Sequence, residues 1–421
     1  MRSRIGLIAS FRADDGIRLA KSPVSPMATL LEVRVKRMEN QRFQSLDAVR
    51  GLAAIAVLLH HLMLSIPGVD ALIWADPAAD RHFTTSWPNV ITYSPLHLFW
   101  SGHEAVLIFF TLSGFVLTLA IQAGHDDYWQ YLIKRFARIW LPFAASLVLA
   151  LLLWSLTSRT MLAPIVSVWL HDVATFQIAP LPLLGHFFMT GLRGQLYLNP
   201  VMWSLVHEMR ISLIMPAIVY LAARHPRLAG GGGAACLCMA FAFPIAFKLE
   251  ASSIAGSLMQ TALYIPLFIA GSWLAIHRAE ISGKIAALPA IKVAALWLFA
   301  IILLQSRWLI IDEDIPTYLA TGTGAALTIA LAFGSPKSEG FLQKPAFVWL
   351  GTISYSLYLV HMPLMIFLAK LATNRTNLPL LLIGMAAGSL AFSFIFHRLV
   401  ERKAKLVGRL VAQRQRSKAL Q

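Results

Sequence analysis

The chain has 421 residues, of which 57% are hydrophobic and 13% are charged, and its mean hydropathy is +0.66. Soluble domains carry about 25% charged residues, so this composition excludes an ordinary soluble domain and favours a protein surrounded largely by lipid. The net charge of +16 is concentrated at the two ends and in short loops, which is typical of cytoplasmic flanks rather than of a nucleic-acid surface. Cys236 and Cys238 stand in one apolar run and predict neither a disulfide framework nor a metal site.

Apolar runs that approach the roughly 20 residues of a membrane-crossing helix recur along the chain. They predict an all-α, polytopic membrane helix bundle with about ten transmembrane helices. The predicted crossings are 46–66, 104–122, 137–157, 200–222, 232–249, 256–277, 285–305, 317–334, 347–370 and 378–400. The alternation of basic and acidic loops predicts that both termini are cytoplasmic, and we expect the membrane to be the bacterial inner (cytoplasmic) membrane.

The stretch 158–199 does not fit a full crossing, because its two ends must face the same side. We expect a re-entrant or interfacial segment, which is tolerated where protein or a watery cavity buries the backbone.

The two ends of the chain are basic. Residues 1–41 are predicted to be a disordered N-terminal tail, with Met38 as an alternative start. We expect residues 42–403 to form the membrane domain and residues 404–421 to form a basic cytoplasmic tail.

The first predicted helix carries two ionisable residues on one face. Arg50 and His61 are 11 residues apart, or three turns plus about 20°, and lie about 16 Å apart along the helix axis. His60 lies about 80° round from Arg50, toward packing or a neighbouring helix. Ionisable groups are costly in lipid, so we expect Arg50 to bind a phosphate and His61 to act as a general base. The alternative is that Arg50 reaches lipid phosphates while His61 is a hydrogen-bonded core residue.

Polar residues also mark the second and third predicted helices. Glu104 and Ser113 lie in the second helix. Arg135 and Arg138 share a face at the start of the third helix. Paired guanidinium groups suit the diphosphate of coenzyme A, although anchoring to lipid headgroups explains them equally well.

Trp203 and Glu208 lie in the first half of the fourth predicted helix. Glu208 lies at membrane depth and should face a cavity or a cation. It could orient His61, bind hydroxyls of an acceptor, or form a structural pair with Arg210 or another buried base.

Together these segments resemble the acyltransferase-3 family of integral membrane proteins, which includes O-antigen and Nod-factor acetyltransferases. The resemblance covers about residues 42–403 and rests on five motifs in order. The motifs are Arg50-x10-His61, Phe109-Phe110-x-Leu112-Ser113-Gly114-Phe115, Arg135-x-x-Arg138, Trp203-Ser204-Leu205-x-x-Glu208 and Ile353-Ser354-Tyr355-x-x-Tyr358-Leu359-x-His361-x-Pro363. The chain departs from the family at Leu107 and Met209, where many members carry an acidic residue.

The resemblance implies an O-acyltransferase that moves an acyl group, usually acetyl, from acyl-CoA to a hydroxyl of a carbohydrate or glycolipid acceptor. Acyl-CoA is the co-substrate, and no metal is expected. Ser113 would be an acyl carrier or, as is more usual for a serine in a membrane helix, a packing residue. The implied roles are catalysis by His61 and Glu208, donor binding by Arg50, Arg135 and Arg138, and acceptor binding by Glu104, Ser113, Trp203, Tyr358 and His361. The alternatives are a transporter or flippase of a lipid-linked or sugar substrate, and a membrane scaffold without activity.

Overall fold

The computed structural model describes residues 26–74, 86–124, 126–175, 179–192, 198–250, 253–309, 315–373 and 375–419. These residues form helices and contain no strand, which confirms the all-α class. In chain order the helices are α1 Pro26–Leu64, α2 Val69–Trp74, α3 Trp87–Tyr93, α4 Gly102–Gln122, α5 Tyr128–Thr157, α6 Val168–Ala174, α7 Pro180–Phe187, α8 Met202–Arg224, α9 Pro226–Ala246, α10 Ile254–Ile276, α11 Arg278–Ala286, α12 Ala290–Leu304, α13 Ser306–Leu309, α14 Ile315–Gly334, α15 Pro336–Leu342, α16 Pro345–Leu371, α17 Leu378–Phe396 and α18 Arg402–Ala419.

Nine helical stretches in the described part of the chain are long and apolar enough to cross a membrane. They lie in α1, α4, α5, α8, α9, α10, α14, α16 and the run from α17 into α18. Each overlaps one of the predicted crossings, so the polytopic bundle is confirmed. Helices suit lipid because they satisfy their backbone hydrogen bonds within the segment.

The remaining predicted crossing, 285–305, is a shorter helix. α12 has 15 residues, a length of about 22 Å, against the roughly 30 Å of a hydrocarbon core. α12 and α13 run antiparallel to α14: Ile285, before α12, lies against Gly334, and Ser306 Oγ in α13 lies 3.0 Å from Thr321 Oγ1. The two short helices therefore follow α14, but α12 alone is shorter than the nine candidate spans, so this predicted crossing is not among them.

Residues 158–192 contain two short helices, α6 and α7, and neither is long enough to cross, as expected for this segment. Hydrogen bonds connect the start of α6 to the end of α1 and to α2. Ser167 Oγ donates to the carbonyl of Leu64 (2.6 Å), and the backbone N–H of Trp169 donates to Asp70 (3.2 Å). Helix ends leave carbonyl groups without internal partners, so the first of these bonds also satisfies the end of α1.

Glycines bring two pairs of helices into backbone contact. A Cβ atom on Gly351 of α16 would lie 2.1 Å from the carbonyl oxygen of Asp47 in α1, and one on Gly51 would lie 2.5 Å from the backbone nitrogen of Gly351. A Cβ atom on Gly271 of α10 would lie 2.0 Å from the carbonyl oxygen of Thr111 in α4. Small residues permit such close approach between membrane helices, so these positions set the spacing of α1 with α16 and of α4 with α10.

The C-terminal region is helical through α18, including most of the segment 404–421 that the sequence predicts as a basic tail. A π-helical turn, His397–Glu401, joins α17 to α18. The buried Glu401 carboxylate accepts from Ser356 Oγ (2.6 Å) and pairs with His397 (2.9 Å) and Lys405 (2.5 Å). This cluster ties α16 to the turn. Of the predicted disordered tail, residues 1–25 lie outside the described residues, and residues 26–41 begin α1.

Replacing Gly351 by alanine tests the contact between α1 and α16. The new methyl group would overlap the carbonyl of Asp47, and overpacking of this kind costs about 1–3 kcal/mol. We expect a lower midpoint of thermal unfolding in detergent for Gly351→Ala. Gly384→Ala in α17 is the matched control, because no atom lies within 4 Å of its Cβ position; equal midpoints for the two variants would contradict the assignment.

Candidate active site

A cavity of about 700 Å³ lies where the end of α1 meets the starts of α4, α8 and α14. Its volume is within the range of roughly 300–1,000 Å³ that is usual for ligand pockets. Its polar and aromatic lining consists of His60, His61, His103, Glu104, Trp169, Trp203, His207, Phe241, Gln260, Tyr264, Arg307, Trp308, Thr317, Tyr318, Thr321 and Tyr358. Within the described ranges, no group of three or more His, Cys, Asp or Glu side chains is arranged to hold a metal ion. We call this space the histidine cavity.

His61 is held in the wall of the histidine cavity by contacts from three helices. Its Nδ1 lies 2.9 Å from the carbonyl oxygen of Val57, one turn earlier in α1, and 3.1 Å from Nε2 of His361 in α16. Its ring stacks on Trp169 of α6, with centroids 5.8 Å apart and planes 27° apart. The ring orientation is therefore fixed, and Nε2 is the ring nitrogen left for a ligand.

His60 lines the same cavity but is directed at the 3₁₀ helix Pro95–Trp100. Its Nδ1 lies 3.2 Å from the carbonyl oxygen of Trp100, and the two rings stack with centroids 6.0 Å apart. Within the same 3₁₀ helix, burial lowers the pKa of His97 to about 3, so that ring is neutral at pH 7. His60 thus contacts a neighbouring element, as the helical spacing predicts, while it also faces the cavity.

Glu104 and Trp203 line the histidine cavity, where the sequence predicts acceptor-binding residues. The Glu104 side chain is 2% exposed and accepts a hydrogen bond from Trp308 Nε1 (3.1 Å). The Trp203 ring packs near Tyr264, with centroids 5.9 Å apart. Aromatic walls with a few fixed polar groups are the usual composition of small-molecule sites.

Several residues of this cavity were not predicted from the sequence, including Trp169, Arg307 and Trp308. Trp169 lies in α6, and Arg307 and Trp308 lie in α13, with the Arg307 guanidinium carbon 5.8 Å from the Trp308 ring centroid. The signal that could have found them is an arginine beside a tryptophan at the end of an apolar run. That pattern also occurs at ordinary membrane interfaces, so it does not single out a site.

A second cavity, of about 90 Å³, lies near the basic start of α5 and is lined by Arg50, Arg135 and Arg138, among other residues. Arg50 pairs with Asp47 in its own helix (2.6 Å). Arg135 pairs with Glu208 of α8 (3.0 Å). Arg138 forms no hydrogen bond or ion pair with the described residues, and it is the exposed member of the three. We call this space the arginine cavity.

Glu208 lies in the arginine cavity and not beside His61, which corrects one of its expected roles. Its Oε1 accepts from Arg135 Nη2 (3.0 Å) and from Ser113 Oγ (3.1 Å). The ion-pair partner of Glu208 is a buried base, as one of the alternatives predicts, and this base is Arg135 and not Arg210. Arg210 instead donates to α10 and to the carbonyl of Thr190 (2.7 Å).

The two cavities share a wall formed by Val106 and Tyr358. The Tyr358 hydroxyl lies 2.6 Å from Ser204 Oγ and donates to the carbonyl of Val201 (3.2 Å). Arg50 and His61, which share one face of α1, therefore lie in adjoining cavities separated by the Tyr358 side chain.

Two further predicted acceptor residues lie elsewhere than expected. Ser113 lines the arginine cavity and donates to Glu208, so it lies with the expected donor residues. His361 is 1% exposed and lies behind His61 rather than in the cavity lining. Ser113 therefore contacts Glu208, and His361 contacts His61.

These features define an integral membrane helix bundle with a histidine-bearing cavity that adjoins an arginine-bearing one. The acyltransferase-3 family model, described as an acyltransferase domain, matches residues 43–398. The chain therefore belongs to this family and is a membrane acyltransferase. Searches of the curated proteins and of the solved structures gave no match. The transporter and scaffold alternatives find no support in the family match.

Removing one member of the Arg135–Glu208 pair should destabilise the protein more than removing both. The side chains are 9% and 21% exposed, and a buried charge left without its partner costs about 3–5 kcal/mol. We expect Glu208→Leu and Arg135→Met each to lower the unfolding midpoint in detergent, and the double variant to recover part of the loss.

The control is the more exposed ion pair between Lys134 and Asp126 beside it. Surface pairs contribute about 0–1 kcal/mol, so Asp126→Asn should change the midpoint little. Additive effects of the Glu208 and Arg135 substitutions would contradict a coupled pair.

Proposed function

We propose that this acyltransferase moves an acyl group, with acetyl the simplest case, from acyl-CoA to a hydroxyl of a carbohydrate or glycolipid. The observation that carries the proposal is the junction of the two cavities at Tyr358. One side of the junction offers guanidinium groups for an anionic donor, and the other offers a histidine and aromatic walls for a hydroxylated acceptor.

Arg138 is the proposed main contact for the donor diphosphate. Arg50 and Arg135 are each neutralised by a carboxylate in the described structure, whereas Arg138 keeps its charge without an ion-pair partner. A guanidinium group suits phosphate oxygens because it donates two parallel hydrogen bonds. The other two arginines line the same cavity and would donate further hydrogen bonds to the ligand, because a guanidinium group has five N–H donors and one carboxylate does not use them all.

The histidine cavity is the proposed acceptor site. Its walls combine tryptophan and tyrosine rings with the carboxylate of Glu104 and the amide of Gln260. The rings would cover the C–H faces of a sugar, while the polar groups would bind its hydroxyls. At about 700 Å³ the cavity has room for an acceptor unit together with the acyl end of the donor.

His61 is the proposed general base. As the acceptor oxygen attacks the thioester carbonyl, His61 Nε2 takes the hydroxyl proton and a C–O bond forms. The tetrahedral intermediate then breaks its C–S bond, and the coenzyme A thiolate leaves and takes the proton from the His61 imidazolium. A hydroxyl group needs such a base because it is scarcely ionised at pH 7.

The proposed location is the bacterial inner membrane, with both termini in the cytoplasm. Basic residues gather where α5 begins and along α18, and positive loops face the cytoplasm in bacterial membrane proteins. Arg135 and Arg138 of the arginine cavity lie near the basic start of α5, so acyl-CoA would bind from the cytoplasm. The histidine cavity lies toward the opposite side.

His61→Ala is expected to lower acyl transfer by at least about 10²-fold, since general bases contribute about 10²–10⁴-fold. The assay supplies purified protein with radiolabelled acetyl-CoA and a membrane glycan fraction. His60→Ala, which removes the neighbouring ring held by Trp100, should keep most of the activity. Activity of the His61→Ala protein within a few-fold of the parent would refute the proposed base.

Arg138→Ala is expected to raise KM for acyl-CoA about 10–100-fold, because a hydrogen bond to a charged group contributes about 1.5–3 kcal/mol. KM for the acceptor should change little. Lys134→Ala provides the matched control: it removes a nearby cation that pairs with Asp126 and is not in the cavity lining. If both substitutions change KM for acyl-CoA equally, the effect reflects surface charge and the assigned donor site is wrong.

A further inference from the structure

His361 is a buried imidazole in direct contact with the proposed base. It lies in α16 and is 1% exposed. Its Nε2 is 3.1 Å from His61 Nδ1, and its own Nδ1 is 2.9 Å from the carbonyl oxygen of Leu357. The two rings have centroids 5.0 Å apart and planes 45° apart.

The hydrogen bonds assign the protons of both neutral rings. A carbonyl oxygen can only accept, so Nδ1 of His361 carries the proton that is donated to Leu357. Its Nε2 therefore has a lone pair and accepts from Nδ1–H of His61. That proton also points at the carbonyl of Val57 (2.9 Å). The second nitrogen of His61, Nε2, is thus left with its lone pair.

The position of His361 depends on the backbone contact between α1 and α16. Gly51 meets Gly351, and each histidine follows its glycine by ten residues, which places both at the same height in two helices running in the same direction. The spacing that brings His361 Nε2 to 3.1 Å from His61 Nδ1 is therefore set at the glycines. Trp169 packs on the His61 ring from another side, so His61 has little freedom to rotate.

We propose that His361 is a positioning residue that holds His61 in the tautomer whose Nε2 is basic. When His61 takes the acceptor proton, its Nδ1–H would strengthen its hydrogen bond to the His361 lone pair, which would stabilise the imidazolium. In Ser-His-Asp triads a carboxylate accepts this hydrogen bond and stabilises the imidazolium. Here a neutral imidazole accepts it, while Glu208 forms an ion pair with Arg135.

This inference rests on the proposed function, because it needs His61 to be the base. A merely structural role for His361 would consist of filling space in the core. The two roles differ in the chemistry they require, since filling space needs volume and positioning needs a hydrogen-bond acceptor at Nε2.

The test compares His361→Gln with His361→Met. Glutamine places its amide oxygen near the position of the imidazole Nε2 and keeps the acceptor, whereas methionine fills a similar volume without one. We expect His361→Met to lower kcat by about 10–100-fold, by comparison with other residues that orient a catalytic histidine, with KM for acyl-CoA unchanged. His361→Gln should recover at least tenfold of that loss, and the unfolding midpoint in detergent should be equal for the two variants.

Equal kcat values for the two variants, whether high or low, would overturn the positioning role. His61→Ala is measured in parallel and separates the two levels of the proposal. An inactive His61→Ala protein together with equal Gln and Met variants would refute the positioning role alone. An active His61→Ala protein would refute the base, and the positioning role with it.

Discussion

The close contact of α1 with α16 is the constraint on which the site depends. Gly351 lies against the carbonyl of Asp47, at a separation that leaves no room for a side chain. Van der Waals packing drives association between membrane helices, and small residues allow the closest approach. Ten residues further along both helices, the same approach brings His61 to His361. Without it, His61 would lose its hydrogen-bond acceptor on His361 and its fixed orientation.

Charge is separated between the two cavities in a way that suits a transfer reaction. Three guanidinium groups gather on the basic side with the carboxylates of Asp47 and Glu208, and Arg138 is the cation without an ion-pair partner among the described residues. The histidine cavity holds the proposed base, His61, at the other end of α1. Tyr358 and Val106 form the boundary, so a thioester held by its diphosphate in one cavity would reach the hydroxyl in the other only by passing the Tyr358 side chain.

Helical periodicity explains how much of this could be predicted from the sequence. The common face of Arg50 and His61 follows from their spacing, and the apolar runs predict the bundle. The partner of Glu208 could not be predicted, because Arg135 is 73 residues away and several cations were equally plausible. Trp169 was missed for a related reason: its position depends on the bonds that fasten α6 to α1, and local pattern carries no information on such long-range contacts.

The most direct test of the account is a cryo-electron microscopy structure of the protein with a non-hydrolysable acyl-CoA analogue. The account predicts that the diphosphate contacts Arg138 and that the acyl carbon extends past Tyr358 to within about 3–3.5 Å of the space where a hydroxyl bound to His61 Nε2 would lie. An analogue bound on the far side of the bundle, or an acyl group kept from His61 by a closed wall, would contradict it.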